Sequence, residues 1–150
     1  MKYLIFVFFM AFNVLAIEHK TEQRLKTVFE KYEVVHTHFF EYNDEKAKKA
    51  IKDLSEAISK IEEEEVKKRL VYSKKTLDKM ADIRDRSELN KKLNTVSMAL
   101  IYILDKYNVD KKYQSYYCPM VKKKWIQNTS VESKVLNPYA PEMPHCGAKE

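Results

Sequence analysis

Glycine is nearly missing from this chain: 150 residues contain Gly 1, with Pro 4, Cys 2 and Trp 1. Sandwiches, barrels and phosphate-cradling loops rely on glycine at their turns, so these architectures are excluded. No Cys-x-x-Cys redox pair, Cys-x-x-Cys-His haem site or His-Glu-x-x-His zinc motif occurs, and nothing singles out a nucleophilic triad, so the chain reads as a non-enzyme. Charged residues make up 33% and hydrophobic residues 45%, which fits neither a disordered polyelectrolyte nor a multi-span membrane protein. Lys+Arg 28 against Asp+Glu 22 leaves a formal charge of +6 spread along the chain. Nothing concentrates it into a nucleic-acid-binding surface, and no nucleic-acid partner is expected.

What is present begins with Met1-Lys2-Tyr3, an apolar run from Leu4 to Phe12, and Val14-Leu15-Ala16. One positive charge, a short apolar stretch and small residues at the −3 and −1 positions form the three-part pattern of a secretory signal peptide over residues 1–16. The run is too short for a comfortable membrane span. The expectation is therefore a mature protein in the bacterial periplasm with no stable membrane anchor after cleavage; a retained N-terminal anchor is the alternative.

Residues 17–110 carry four apolar stripes at steps of three and four. Leu25, Val28, Phe29, Tyr32, Val35 and Phe39 form the first, and Ala47, Ala50, Ile51, Leu54, Ile58 and Ile61 the second. Val66, Leu70, Leu77, Met80 and Ile83 form a third, less regular one, and Leu89, Leu93, Val96, Leu100, Ile101 and Leu104 the fourth. This period predicts amphipathic helices near 21–42, 45–61, 64–82 and 87–107. Asn43-Asp44 and Ser87 offer N-caps, and the carboxylate run Glu62 to Glu65 suits a helix start. Short connections imply antiparallel neighbours, so the expected fold is all-α, an up-down four-helix bundle. His36 and His38 lie two apart and so on different sides of a helix. Each reads as a histidine bonded to its own surroundings rather than as half of a chelate.

Residues 111–150 differ in character. They hold all four prolines, Trp125, Tyr113, Tyr116, Tyr117 and both cysteines, and are expected to pack on the bundle as an irregular Pro/Tyr-rich cap. Tyr116-Tyr117-Cys118-Pro119-Met120 and Met143-Pro144-His145-Cys146-Gly147 each place a thiol near a thioether, with His145 beside the second thiol. Thiolate and thioether are soft ligands that favour Cu(I) over Mg²⁺ or Ca²⁺. Cys118, Met120, Met143, His145 and Cys146 are thus candidate ligands of a low-coordinate Cu(I) or Ag(I) site. An exported protein with two cysteines also supports a simpler reading, a Cys118–Cys146 disulfide that staples the tail and leaves the methionines as packing residues. Both readings require the two cysteines to meet.

The order Tyr-Cys-Pro-Met, a Trp, Asn137-Pro138-Tyr139 and a final Met-x-x-Cys-Gly resembles a bacterial domain family of unknown function. Its members are small exported proteins and C-terminal parts of periplasmic adaptor subunits of Cus-type copper/silver efflux systems. The resemblance covers Tyr116 to Gly147. It implies a role in heavy-metal handling, with Cys118, Met120, Met143 and Cys146 at the matching positions and a metal-efflux or other envelope protein as partner. This chain departs from the pattern at Ala140-Pro141, where members often have a Gly after Asn-Pro-Tyr. It also carries Lys122-Lys123-Lys124 before the Trp, charges a cation site tolerates only if they face solvent. The competing expectation is a disulfide-stabilised helical interaction module of the envelope that binds no metal.

Overall fold

The computed structural model describes residues 17–150; the expected signal segment lies outside them. Helices α1 (His19–Phe40), α2 (Asp44–Ser59), α3 (Glu64–Met80) and α4 (Arg86–Tyr107) follow the four apolar stripes. None is long and apolar enough to cross a membrane. Their starts are set by short polar side chains that satisfy the free first-turn N–H groups. Asn43 Oδ1 accepts from the Lys46 N–H at 3.1 Å, and the Glu63 carboxylate accepts from Glu65 and Val66 at 3.2 and 2.7 Å. Asp85, not Ser87, caps α4 by accepting from the Glu88 N–H at 2.7 Å. α4 stops where Asn108 turns left-handed, at φ 46°, a conformation asparagine tolerates.

The fold is not purely helical. Tyr113–Cys118 forms β1, Lys123–Asn128 forms β2 and Ala148–Lys149 forms β3, in an antiparallel sheet of order β2-β1-β3. The expected all-α bundle with an irregular cap is corrected to four helices plus a small sheet. The physical reason lies in composition: Tyr-Gln-Ser-Tyr-Tyr-Cys and Lys-Lys-Trp-Ile-Gln-Asn are rich in aromatic residues, with Ile126 β-branched, and suit a pleated surface. The four residues 119–122 connect them, closed by the Lys122 N–H donating to the Cys118 carbonyl at 2.9 Å. Lys122 takes the positive φ, 53°, that a glycine would ordinarily supply.

The helices pack as α1 on α2, α2 on α3 and α3 on α4, while β2 lies against both α4 and α1. The hairpin therefore stands between the first and last helices. Its outer strand would expose unpaired N–H groups, but helix side chains cover them. Asn94 Oδ1 accepts from Lys124 at 2.8 Å, the Tyr32 hydroxyl from Ile126 at 3.3 Å, and Glu33 Oε2 from Asn128 at 3.0 Å. Tyr32 donates in turn to Ser97 Oγ at 2.6 Å, and Ser97 donates to the Leu93 carbonyl at 2.8 Å. Trp125, Ile126, Gln127 and Asn128 are consequently all buried.

Charge also links elements. Glu62, before α3, accepts from Arg24 at 2.8 Å and Lys20 at 2.9 Å on α1. These two cations, Arg24 foremost, hold the Glu62 carboxyl down at about 2. A depressed carboxylate stabilises the fold above its unfolded value, and the contribution fades as pH falls through the folded one. Glu62→Gln should therefore lower the melting temperature slightly at neutral pH, and by less as pH falls to about 2. The effect is small because the side chain is 66% exposed. Equal losses at both pH values in thermal unfolding would contradict this.

Candidate metal centre

The site is built by the hairpin turn and the last turn of the chain. Cys118 ends β1, and Pro119 lacks an N–H, so the first main-chain donors after the cysteine belong to Met120 and Val121. Both point at the Cys118 sulfur, as does the Asn137 side chain, and the Cys146 thiol meets it side chain to side chain. Burial alone would raise the Cys118 thiol. The Cys146 thiol, these two N–H groups and Asn137 outweigh it and bring Cys118 below the ordinary thiol value. Cys146 moves the opposite way. Its contact with Cys118, its burial and the charge on Cys118 raise it, with the Met120 N–H opposing. Cys118 is thus the more acidic thiol of the pair and Cys146 the less acidic one.

Cys146 reaches this position through three supports. Asn137 Nδ2 donates to the Cys146 carbonyl at 2.9 Å, its Oδ1 accepts from the Tyr139 N–H at 2.9 Å, and its own N–H donates to the Pro144 carbonyl at 2.8 Å. Tyr139, buried, donates to the Lys124 carbonyl at 2.9 Å and fixes this loop to β2. Gly147 then passes over Trp125: a Cβ there would lie 2.5 Å from Cη2 of the indole, and φ is 149°. Trp125 stacks on Tyr116, its cross-strand partner, at 5.8 Å and meets Tyr139 edge-on at 6.1 Å. Cys118, two residues beyond Tyr116, lies on the same face of the sheet.

Of the five sequence-derived candidates, Cys118 and Cys146 are brought together, both as free thiols. The disulfide expected as the alternative is not formed in this structure. The Met120 main-chain N–H lowers both thiols, but the residue is 69% exposed. Met143 is half-buried in the turn that leads to Cys146, which donates its N–H to the Met143 carbonyl at 3.0 Å. His145 is exposed, and its Nδ1–H donates to the Val135 carbonyl at 2.7 Å. Among the described residues no three His, Cys, Asp or Glu side chains gather as a metal-holding group. The three lysines do not crowd the thiols: Lys124 pairs with Glu150 at 2.7 Å, Lys123 donates to the Val121 carbonyl at 3.3 Å, and Lys122 is exposed.

His36 and His38 serve neighbouring groups. His36, completely buried, donates Nε2–H to the Leu136 carbonyl at 2.8 Å, and His38 Nδ1 meets Glu41 at 3.1 Å. Sequence reasoning missed Asn137 as the organiser of the thiol loop and Gln127 as that of residues 132–136. Buried Gln127 donates to the Lys134 carbonyl at 2.6 Å and accepts from the Leu136 N–H at 2.9 Å. The signal available for Asn137 was its place immediately before Pro138, where an Asx turn is common. No family model, curated protein or solved structure matches the chain.

Proposed function

We propose that this chain is a non-catalytic soft-metal-binding protein of the bacterial periplasm that holds Cu(I), or Ag(I), between Cys118 and Cys146. It would sequester the ion or pass it to an envelope partner such as a metal-efflux component. The observation that carries the reading is the meeting of the two thiols at the hairpin turn, where the Cys146 thiol and main-chain N–H groups lower the Cys118 thiol. Thiolate is the form that ligates, and soft sulfur donors select Cu(I). Cu(I) needs few ligands, so a pair without a third His, Cys, Asp or Glu suits it better than a metal that demands four. In this reading a thioether from Met143 or Met120, or the His145 imidazole, would complete the site as a weaker ligand. The export pattern of residues 1–16 and the resemblance of the tail support the compartment and the partner class.

The test is competition with a chromophoric Cu(I) chelator under anaerobic, reducing conditions. The wild type should withdraw a single Cu(I). Cys118→Ser or Cys146→Ser should weaken retention by more than the roughly 10–100-fold lost with a ligand's supporting group. Met143→Leu and Met120→Leu should weaken it less, with the fold intact. Equal copper retention by the wild type and the double Cys→Ser variant would overturn the proposal and favour a metal-free interaction module.

A further inference from the structure

Two neighbouring thiols that differ in access have a chemistry independent of any metal, and the strand register sets them side by side: Ala148, two residues after Cys146, pairs with Tyr117, next to Cys118. Cys118 has no exposed surface at all. It is fixed within β1, opposite Lys123 in the hairpin register. Cys146 is partly exposed and lies outside the sheet, two residues before β3. One sulfur is therefore reachable from solvent and carried by irregular chain rather than by a strand. The other is sealed and fixed. Among the described residues no third His, Cys, Asp or Glu joins them in a ligating group.

We propose that Cys118 and Cys146 form a reversible thiol–disulfide couple that reacts with low-molecular-weight disulfides such as oxidised glutathione. Cys146 meets the oxidant and Cys118 closes the bond. In the first step Cys146, its proton released to solvent, attacks one sulfur of the small disulfide. That S–S bond breaks, the departing thiolate takes up a proton, and a mixed disulfide remains on Cys146. In the second step Cys118, losing its proton to solvent, attacks Sγ of Cys146 and expels the second small thiol, which is protonated in turn. Two protein thiols and one small disulfide become one intrachain disulfide and two small thiols. The protein loses two electrons and the oxidant gains them. Excess small thiol runs both steps backward.

The closed loop encircles β2 and the Asn137-Pro138-Tyr139 turn, so oxidation adds a covalent tie where Asn137 already bridges to the Cys146 carbonyl at 2.9 Å. An oxidised pair has no thiolate to offer a soft metal. Only that last consequence rests on the copper reading; the couple itself does not.

The experiment uses the full chain stripped of metal by a chelator and equilibrated across graded ratios of reduced to oxidised glutathione. Samples are acid-quenched, alkylated and read by mass spectrometry. Both thiols should disappear together into a monomeric intrachain disulfide, and excess reduced glutathione should restore them. Cys118→Ser should stall as a mixed disulfide on Cys146. Folded Cys146→Ser should leave Cys118 unmodified until denaturant is added. Rapid quenching of the wild type followed by peptide mapping should find the first glutathione on Cys146, which keeps the test decisive if a variant fails to fold. First attack at Cys118, or accumulation of mixed disulfides or interchain dimers in place of the intrachain bond, would overturn the proposal. Because no copper is present, failure here leaves the metal reading standing, and failure of the copper competition leaves this one standing.

Discussion

Trp125→Ala is expected to destabilise the protein by about 3–5 kcal/mol, the usual cost of emptying a buried aromatic site. Much of a small domain's total margin of about 5–15 kcal/mol would be lost. The indole is fully buried, stacked on Tyr116, met edge-on by Tyr139 and roofed by Gly147. Its removal leaves three separate parts of the chain without their common surface. The indole N–H has no hydrogen-bond partner, so the ring is held by packing rather than by its polar atom. Trp125→Phe should accordingly recover a good part of the loss, since the orphaned donor goes with the lost volume. Urea denaturation of the three proteins checks the order wild type, Phe, Ala. A phenylalanine variant as unstable as the alanine one would show that the nitrogen matters after all.

Gly147→Ala should be the most damaging one-carbon change in the tail. The added methyl would sit 2.5 Å from the Trp125 ring and 3.3 Å from the Tyr117 carbonyl, at a φ of 149° that L residues rarely adopt. The ring cannot retreat, because Tyr116 and Tyr139 flank it. The chain must move instead, and Cys146 is the adjacent residue. We expect a loss of roughly 1–3 kcal/mol, the scale of a strained backbone position, and separation of the two thiols. Cu(I) retention and intrachain disulfide formation should both fall. Combining it with Trp125→Phe removes the outer indole atoms that the methyl would strike, so the double variant should lose less than the sum of the single ones. Strict additivity would place the damage in the backbone conformation alone.

The helices were legible because each has one buried face, and a 3.6-residue period survives in any sequence that must bury one face. Their caps were legible in part: Asn43 was evident, whereas Asp85 was overlooked for Ser87 two residues later. The strands were hidden for a different reason. β2 is covered on its faces and along its outer edge, so Trp125, Ile126, Gln127 and Asn128 are buried in succession and show no alternation. The turn before it uses Lys122 rather than the Asn-Gly or Asp-Gly that marks a hairpin. At the site, the two cysteines were legible because either sulfur chemistry required them to meet. The part played by Asn137 was not, because a single asparagine acquires meaning only when Pro144 and Cys146 fold back onto it.

The wedge of β2 between α1 and α4 has a kinetic consequence. Tyr32 and Glu33 find partners about ninety-five residues downstream, at Ile126 and Asn128. Contacts of such long sequence separation slow folding, since loop closure must be paid before they form. During synthesis, the four helices would emerge first with the α1–α4 cleft open and apolar. A chain truncated after Asp110 should resemble that waiting state, helical by circular dichroism yet loosely packed and prone to bind hydrophobic dyes. The last forty or so residues would then act as the closing step of folding, and the thiol pair would assemble only once that step is complete.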